Sequence, residues 1–363
     1  MWNRSLFGPL VAIACLSAVA FADDVRISGP FTHENLSVYM LHSAAGKRVG
    51  TNLLTLGEAM EQKKAAVYET GNVQELSIEN LSGQSVFVQA GDIVKGGQQD
   101  RVLTTDLMLP PHSGKVSIAS FCVEQGRWTR RQGESGAQFV ASSAVVPTRK
   151  LKMAVREPDS QGKVWEEVAA ARIALDPVQP GSAGGVVGGV PGGIGASRSP
   201  APPTPPPPAA APARPAAMAR ITSMQLALET RKVKQAVDPY IAALSKVIEG
   251  SSDIVGFAYT INGKFSGADV YGSPELFRRM WPKLLHASAA EALTERGAKT
   301  STAPPDAGAI RKAMADSDLG RAAAPRTHGS LSVTKVESDK TLVYVTADRQ
   351  ASGDWLHKSY IAK

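Results

Sequence analysis

Cysteine is almost missing from this chain of 363 residues, which holds two, Cys15 and Cys122. Cys15 falls in an N-terminal stretch that reads as a removable leader, so the mature chain keeps Cys122 alone and an intrachain disulfide is excluded. Without covalent staples an apolar core has to carry the fold, which a chain of this length can build. The histidines, at 33, 42, 112, 286, 328 and 357, include no i, i+4 helical pair, and no Cys-x-x-Cys accompanies them, so the usual spacings of zinc sites are absent. Residues 181–217 are rich in glycine, yet no strand pattern precedes them, no Lys-Ser/Thr follows and GxGxxG is missing, which excludes a phosphate-cradling loop of that kind. No metal and no cofactor is expected. Past the leader no apolar run approaches the about 20 residues that a membrane-crossing helix needs.

What is present starts with the leader. Arg4, the apolar run from Leu6 to Leu16 and the small-x-small site Ala20-Phe21-Ala22 form the three regions of a secretory signal peptide. They predict cleavage after residue 22 and a periplasmic or extracellular location. The whole chain has a formal net charge of +7. Part of that excess is concentrated in Arg127, Arg130, Arg131, Arg149, Lys150, Lys152 and Arg156, among which Glu134 is the single acid. Such a stretch can draw polyanions or form a solvated basic face. Nucleic acid is not the expected partner, because nothing else in the chain resembles a nucleic-acid module.

Residues 181–217 consist almost wholly of Gly, Pro, Ala, Val and Ser, with too little to bury to offset the entropy of ordering. They predict a disordered linker or an insertion within one fold. Before it, residues 23–180 read as short alternating strands at Leu36–Met40, 67–70, 75–79, 85–89, 102–107 and 115–120, separated by turn residues. Thr55 and Glu58 form a capping box that opens a helix, and a second helix is expected from Gly162 to Ala174. After the linker, residues 218–363 begin with a long amphipathic helix from Thr222 that Pro239 bends or splits. Asn262-Gly263 then joins two strands, because both residues tolerate positive φ. Ser273 caps a helix with Pro274 at its first position, and Gly297 follows its end. A short helix at 310–316 and strands at 331–336, 341–347 and 355–361 complete the pattern. The fold class expected is α+β: an antiparallel, sandwich or barrel-like N-terminal half, with a helix-plus-hairpin C-terminal half packed on it.

The run from Ala90 to Leu103, with Asp92, Lys95, Gly96-Gly97, Gln98, Gln99, Asp100 and Arg101, is followed by Leu109-Pro110-Pro111-His112-Ser113 and by Cys122-Val123-Glu124-Gln125-Gly126-Arg127-Trp128. In these strings the chain resembles the ARG and rhodanese-phosphatase-superfamily-associated protein domain family. The resemblance continues through Trp281-Pro282-Lys283 and Trp355-Leu356-His357-Lys358-Ser359-Tyr360, covering most of the mature chain. It implies no established activity. The family's name implies an association with ADP-ribosylglycohydrolases and phosphatase-like proteins, hence a place near NAD-derived or phosphorylated metabolites.

The same strings hold the densest polar constellation. If strand pairing brings them together, Lys95, Gln98, Asp100, Arg101, Glu124, Arg127 and Trp128, with His357, form a surface for an anionic or aromatic small molecule. Arginines would hold a phosphate or carboxylate, and Trp128 would stack on a ring. The alternative is a turn tied by internal ion pairs such as Asp100 with Arg127. Two other functions stay open: a hydrolase using Glu124 and Asp100 as acid and base, or Cys122 as nucleophile; and a structural envelope or partner-binding protein. Cys122, flanked by Phe121 and Val123 at strand spacing, reads first as a packed side chain.

Overall fold

A computed structural model describes residues 25–43, 53–158, 160–175, 222–297, 303–349 and 355–363. The leader at 1–22 and the linker at 181–217 lie outside the described residues.

Alternating side chains build the first sheet. Strands β4 (Ala65–Glu69), β5 (Glu75–Asn80) and β10 (Gly114–Cys122) pair antiparallel and bury Val67, Leu76, Ile78 and Ile118. With β7 (Asp92–Gly96), β8 (Arg101–Leu103) and β11 (Phe139–Val145) they form a six-stranded sheet in the order β11-β7-β8-β10-β5-β4. Its two outer strands meet: Tyr68 bridges Gln138, and the Glu69 N–H donates to the Ala137 carbonyl at 3.0 Å. The sheet is therefore nearly closed as a barrel, which leaves little unpaired edge. A smaller sheet of β3 (Leu53–Thr55), β6 (Ser85–Val88) and β9 (Leu107–Leu109) shares the barrel's apolar core, and its β3–β6 pair runs parallel. Helix α1 (Leu56–Glu61) starts at the capping box, with the Glu58 N–H donating to Thr55 Oγ1 at 3.3 Å and the Thr55 N–H to Glu58 Oε2 at 2.9 Å.

A second sheet has nine strands. Its path is β1 (Val25–His33), β2 (Leu36–Ser43), β12 (Ile254–Ile261), β13 (Lys264–Tyr271), β18 (Trp355–Ala362), β17 (Thr341–Asp348), β16 (Leu331–Glu337) and β14 (Arg321–Ala322), with β15 (Arg326–His328) also paired to β16. The hairpin turn has φ of 52° at Asn262 and 74° at Gly263, the positive values that this dipeptide permits. One face buries Leu36, Val38 and Met40 against α5 (Arg231–Leu244) and α6 (Pro274–Thr294). The other buries Tyr39, Leu41 and Val255 against Ile310 and Met314 of α7 (Ala307–Asp318). The architecture is thus the α+β arrangement expected, with one crossing of the halves: the N-terminal hairpin β1–β2 belongs to the sheet of the C-terminal half.

One local expectation needs correction, and two elements were not expected. The helix expected from Thr222 is two, α4 (Met224–Glu229) and α5, because Thr230 ends the first and caps the second, accepting from the Val233 N–H at 3.3 Å. Pro239 stays inside α5 without splitting it. The basic run 149–156 is a helix, α2 (Arg149–Arg156), capped by Thr148 and followed by α3 (Gln161–Leu175). Residues 92–96, for which no element was expected, are strand β7.

Candidate functional site

Strand pairing does bring much of the predicted constellation together. β7 turns tightly into β8 through Gly97, where a Cβ would stand 2.4 Å from the Phe139 ring, so only glycine fits. The pairing of β8 with β10 sets Arg101 opposite Cys122 and carries Glu124 to the same end of the barrel. There the charges face each other. Asp100, fully buried, accepts from the Gly96 N–H at 2.9 Å, from Ser223 Oγ at 2.7 Å and from Arg131. Glu124, also fully buried, accepts from Arg127 Nε at 2.7 Å and Arg131 Nη2 at 2.9 Å. Arg101 pairs with Glu69 at 3.3 Å and donates to Cys122 Sγ at 2.5 Å. Lys95 reaches Glu229 on α4 at 2.7 Å. The Gln98 N–H donates to Glu69 Oε2 at 3.2 Å, and Trp128 stands exposed at the rim, its ring 5.5 Å from the Arg101 guanidinium.

That arrangement ties down a barrel end. Burial and the neighbouring Asp100 raise the pKa of Glu124, but two guanidiniums occupy the face a substrate would need. Burial pushes the Cys122 thiol up to about 11, so it is not an activated thiolate at neutral pH.

His357 belongs elsewhere, which corrects its grouping with these residues. It is fully buried where the barrel meets the nine-stranded sheet, with Nδ1 at 2.8 Å from Asp106 Oδ2 and Nε2 at 3.1 Å from Asp269 Oδ1. The physical reason is the crossing register: His357 pairs with Tyr271 and Thr346 inside the second sheet, while the β8–β9 loop pushes Asp106 beneath it. Thr346 Oγ1 also donates to Asp106 at 2.6 Å, and Tyr271 donates to Gln89 Oε1 at 2.6 Å. These contacts join the two sheets. Burial lowers the histidine pKa, but the two carboxylates outweigh it and raise it to about 9.

An open cleft of about 350 Å³ lies beside this junction, between β10 and the loop after β8 on one side and the β15–β17 strands on the other. Helix α2 supplies its inner wall. The basic side chains of α2 recur at Arg149, Lys152 and Arg156, one helical face. Arg149 is held by Glu291 and Glu295, at 3.5 and 2.7 Å, and Lys152 lies 3.2 Å from the Tyr259 hydroxyl. Arg156 alone is left to the cleft, its guanidinium 4.4 Å from the centre of the Tyr344 ring. Arg326, His328 and Lys335 complete the basic lining, and Glu157, the acid present there, is paired with Lys163 at 3.0 Å. Among the described residues neither Arg156 nor Arg326 has a carboxylate within ion-pair distance. Two lining residues, Ser120 and Tyr344, have hydroxyls that are buried without a hydrogen-bond partner. Behind Arg156 a small hollow of about 20 Å³, with Gln89, Lys152, Asp269 and Ser359 among its mostly apolar lining, has room for about one water.

Of the cleft residues, only Arg156 stood out in the sequence, as the end of the basic run. Lys335 was missed because a strand that alternates so regularly reads as core, and Arg326 because it lies between the elements read there; pairing of Lys335 with Tyr344 across β16–β17 sets that lysine beside the ring. Among the described residues there is no group of three or more His, Cys, Asp or Glu side chains that could hold a metal ion, and no helix is long and apolar enough to cross a membrane.

No curated protein and no solved structure matches the chain. The family model of the ARG and Rhodanese-Phosphatase-superfamily-associated Protein domain matches residues 24–361, and over nearly its whole length the chain belongs to that family.

Proposed function

We propose that this chain is an exported binding module for a small anionic molecule, held in the cleft at Arg156 by a phosphate or carboxylate group. Export rests on the leader pattern at 1–22. The observation that carries the binding reading is the pair of arginines without carboxylate partners, Arg156 and Arg326, beside the buried and unpartnered hydroxyls of Ser120 and Tyr344. Unpaired guanidiniums give bidentate recognition of oxyanions. A planar ring attached to the anion has the exposed side of the Arg156 guanidinium to stack on.

The test is thermal denaturation of the mature chain in the presence of inorganic phosphate, a nucleoside monophosphate or benzoate. A ligand at a hundred times its dissociation constant stabilises by about 2.7 kcal/mol, which raises Tm measurably. The double substitution Arg156→Ala and Arg326→Ala should abolish the shift, and added salt should weaken it. Equal shifts in parent and variant would remove the cleft from the account.

A further inference from the structure

On the opposite margin of the nine-stranded sheet, three separate segments bring a serine, a histidine and an aspartate into line. Ser28 sits on the edge strand β1, His42 on β2, and Asp253 just before β12. Ser28 Oγ lies 2.8 Å from His42 Nε2, and His42 Nδ1 lies 3.0 Å from Asp253 Oδ1. In the tautomer with its proton on Nδ1, toward the Asp253 carboxylate, the Nε2 lone pair faces the serine hydroxyl, the order that nucleophilic catalysis by serine requires. Main-chain structure fixes the array. The Ser43 N–H donates to the Asp253 carbonyl at 3.0 Å, and Arg26 and His42 are register partners across β1–β2.

The strand breaks register directly after Ser28, between Ser28 and Phe31. Gly29 has φ of 107°, and a Cβ there would stand 2.8 Å from the Val38 carbonyl oxygen. The backbone thus turns away beyond the serine, as bulges do where they re-aim a side chain. His42 is buried at 4% exposure while Ser28 is half-buried and the Asp253 side chain is 41% exposed, so the hydroxyl can be reached from solvent. Arg26 Nη2 stands 2.8 Å from His42 Nδ1, where it can only donate, and 3.4 Å from Asp253 Oδ2, so the tautomer with Nδ1 protonated requires this guanidinium to turn from the ring to the carboxylate.

We infer that Ser28, His42 and Asp253 form a second, esterolytic site, independent of the Arg156 cleft, in which Ser28 is the nucleophile, His42 the base and Asp253 a positioning residue. In the step assigned, Ser28 Oγ forms a bond to the carbonyl carbon of an ester as its proton passes to His42 Nε2. The tetrahedral intermediate then expels the alcohol, which takes that proton from His42. Water repeats the sequence on the acyl-serine: its proton goes to His42, its oxygen bonds to the carbonyl carbon, and the Ser28 oxygen leaves with the proton to regenerate the hydroxyl and release a carboxylic acid. Because the array lies on a sheet edge and not in a hollow, the substrate class is an unhindered ester whose acyl group is presented from outside.

A fluorophosphonate probe tests this on the full chain. The Ser28 oxygen displaces fluoride from phosphorus, and peptide mass mapping reports the adduct. The expected result is an adduct at Ser28, with a rate reduced by about 100-fold or more in His42→Gln, the usual scale of a lost general base. Asp253→Asn, nearly isosteric and at the exposed end of the array, should keep the parent Tm yet slow labelling, and Asp253→Glu should restore part of the rate, which a purely structural carboxylate would not do. Arg156→Ala should label like the parent, so this site and the cleft stand or fall separately. Absence of an adduct on Ser28, or labelling of Asp253→Asn at the parent rate, would overturn the inference.

Discussion

Asp100 and Glu124 decide what the polar cluster of the barrel does. Taken alone, each is the kind of carboxylate that general acid–base chemistry uses, and the strings that carry them are the most distinctive in the chain. Burial changes their role. With no water to solvate them, both need cationic partners, and Arg127 and Arg131 supply these from the same loop. Removing one member of such a group leaves an uncompensated buried charge, at a cost of about 3–5 kcal/mol. Asp100→Ala should therefore lower the free energy of unfolding in urea by that amount, while Lys95→Ala, which breaks the partly exposed pair with Glu229, should change it by less than about 1 kcal/mol. Similar effects from the two substitutions would show that the cluster is solvated. In the sequence, the nearness of these residues was legible from the strands flanking them. Whether their charges turned outward or toward one another was not, because Glu69, which pairs with Arg101, lies in another segment, and the path of the loop that sets Arg131 on both carboxylates follows no local pattern.

At the scale of elements, local rules carried far. The capping box of α1, the Asn262-Gly263 hairpin and the Ser273-Pro274 start of α6 each depend on residues within four positions of one another, so sequence alone specified them. Thr55→Ala removes the acceptor of the Glu58 N–H and half of the reciprocal box. The expected loss is about 1 kcal/mol in the urea midpoint free energy, with the m-value unchanged. A larger loss would mean that Thr55, the last residue of β3, matters more to the strand than to the helix. What local rules did not supply was α2, whose eight residues carry four basic side chains and read as a charge run; its helical form depends on Leu151, Ala154 and Val155 finding the apolar core. Nor could they supply the pairing of β2 with β12, which joins segments from opposite halves of the chain. The cleft escaped notice for the same reason: Arg156, Ser120, Arg326 and Lys335 come from four elements that meet only after both sheets have formed.

On the scale of the whole molecule, the joint between barrel and sheet concentrates its charge at His357. The ring stacks on Tyr271 with centroids 4.6 Å apart and holds Asp106 of the barrel side and Asp269 of the sheet at its two nitrogens. The histidine pKa rises from 6.5 to about 9, and burial, which raises the pKa of Asp106 and Asp269, is outweighed by His357, so both carboxylates titrate below their ordinary value of 3.8. Both directions describe one ion group, so its contribution is counted once. Between pH about 6.5 and 9 the folded protein keeps a proton on His357 that the unfolded chain has lost, and stability must fall as pH rises through that window. The difference in pKa corresponds to about 3 kcal/mol, fully present below pH 6.5 and gone above 9. On the acid side the carboxylates act in the opposite sense: their contribution is complete above pH about 4 and is lost as pH drops through their lowered values. Urea unfolding at pH 6 and pH 9.5 measures the alkaline limb directly. The parent should lose about 3 kcal/mol between the two, and Asp106→Asn, less stable at pH 6, should lose clearly less, since its histidine no longer binds the extra proton as tightly. A parent whose unfolding free energy is the same at both pH values would mean that His357 is neutral at the joint, and that hydrogen bonds without an ion group hold the barrel to the sheet.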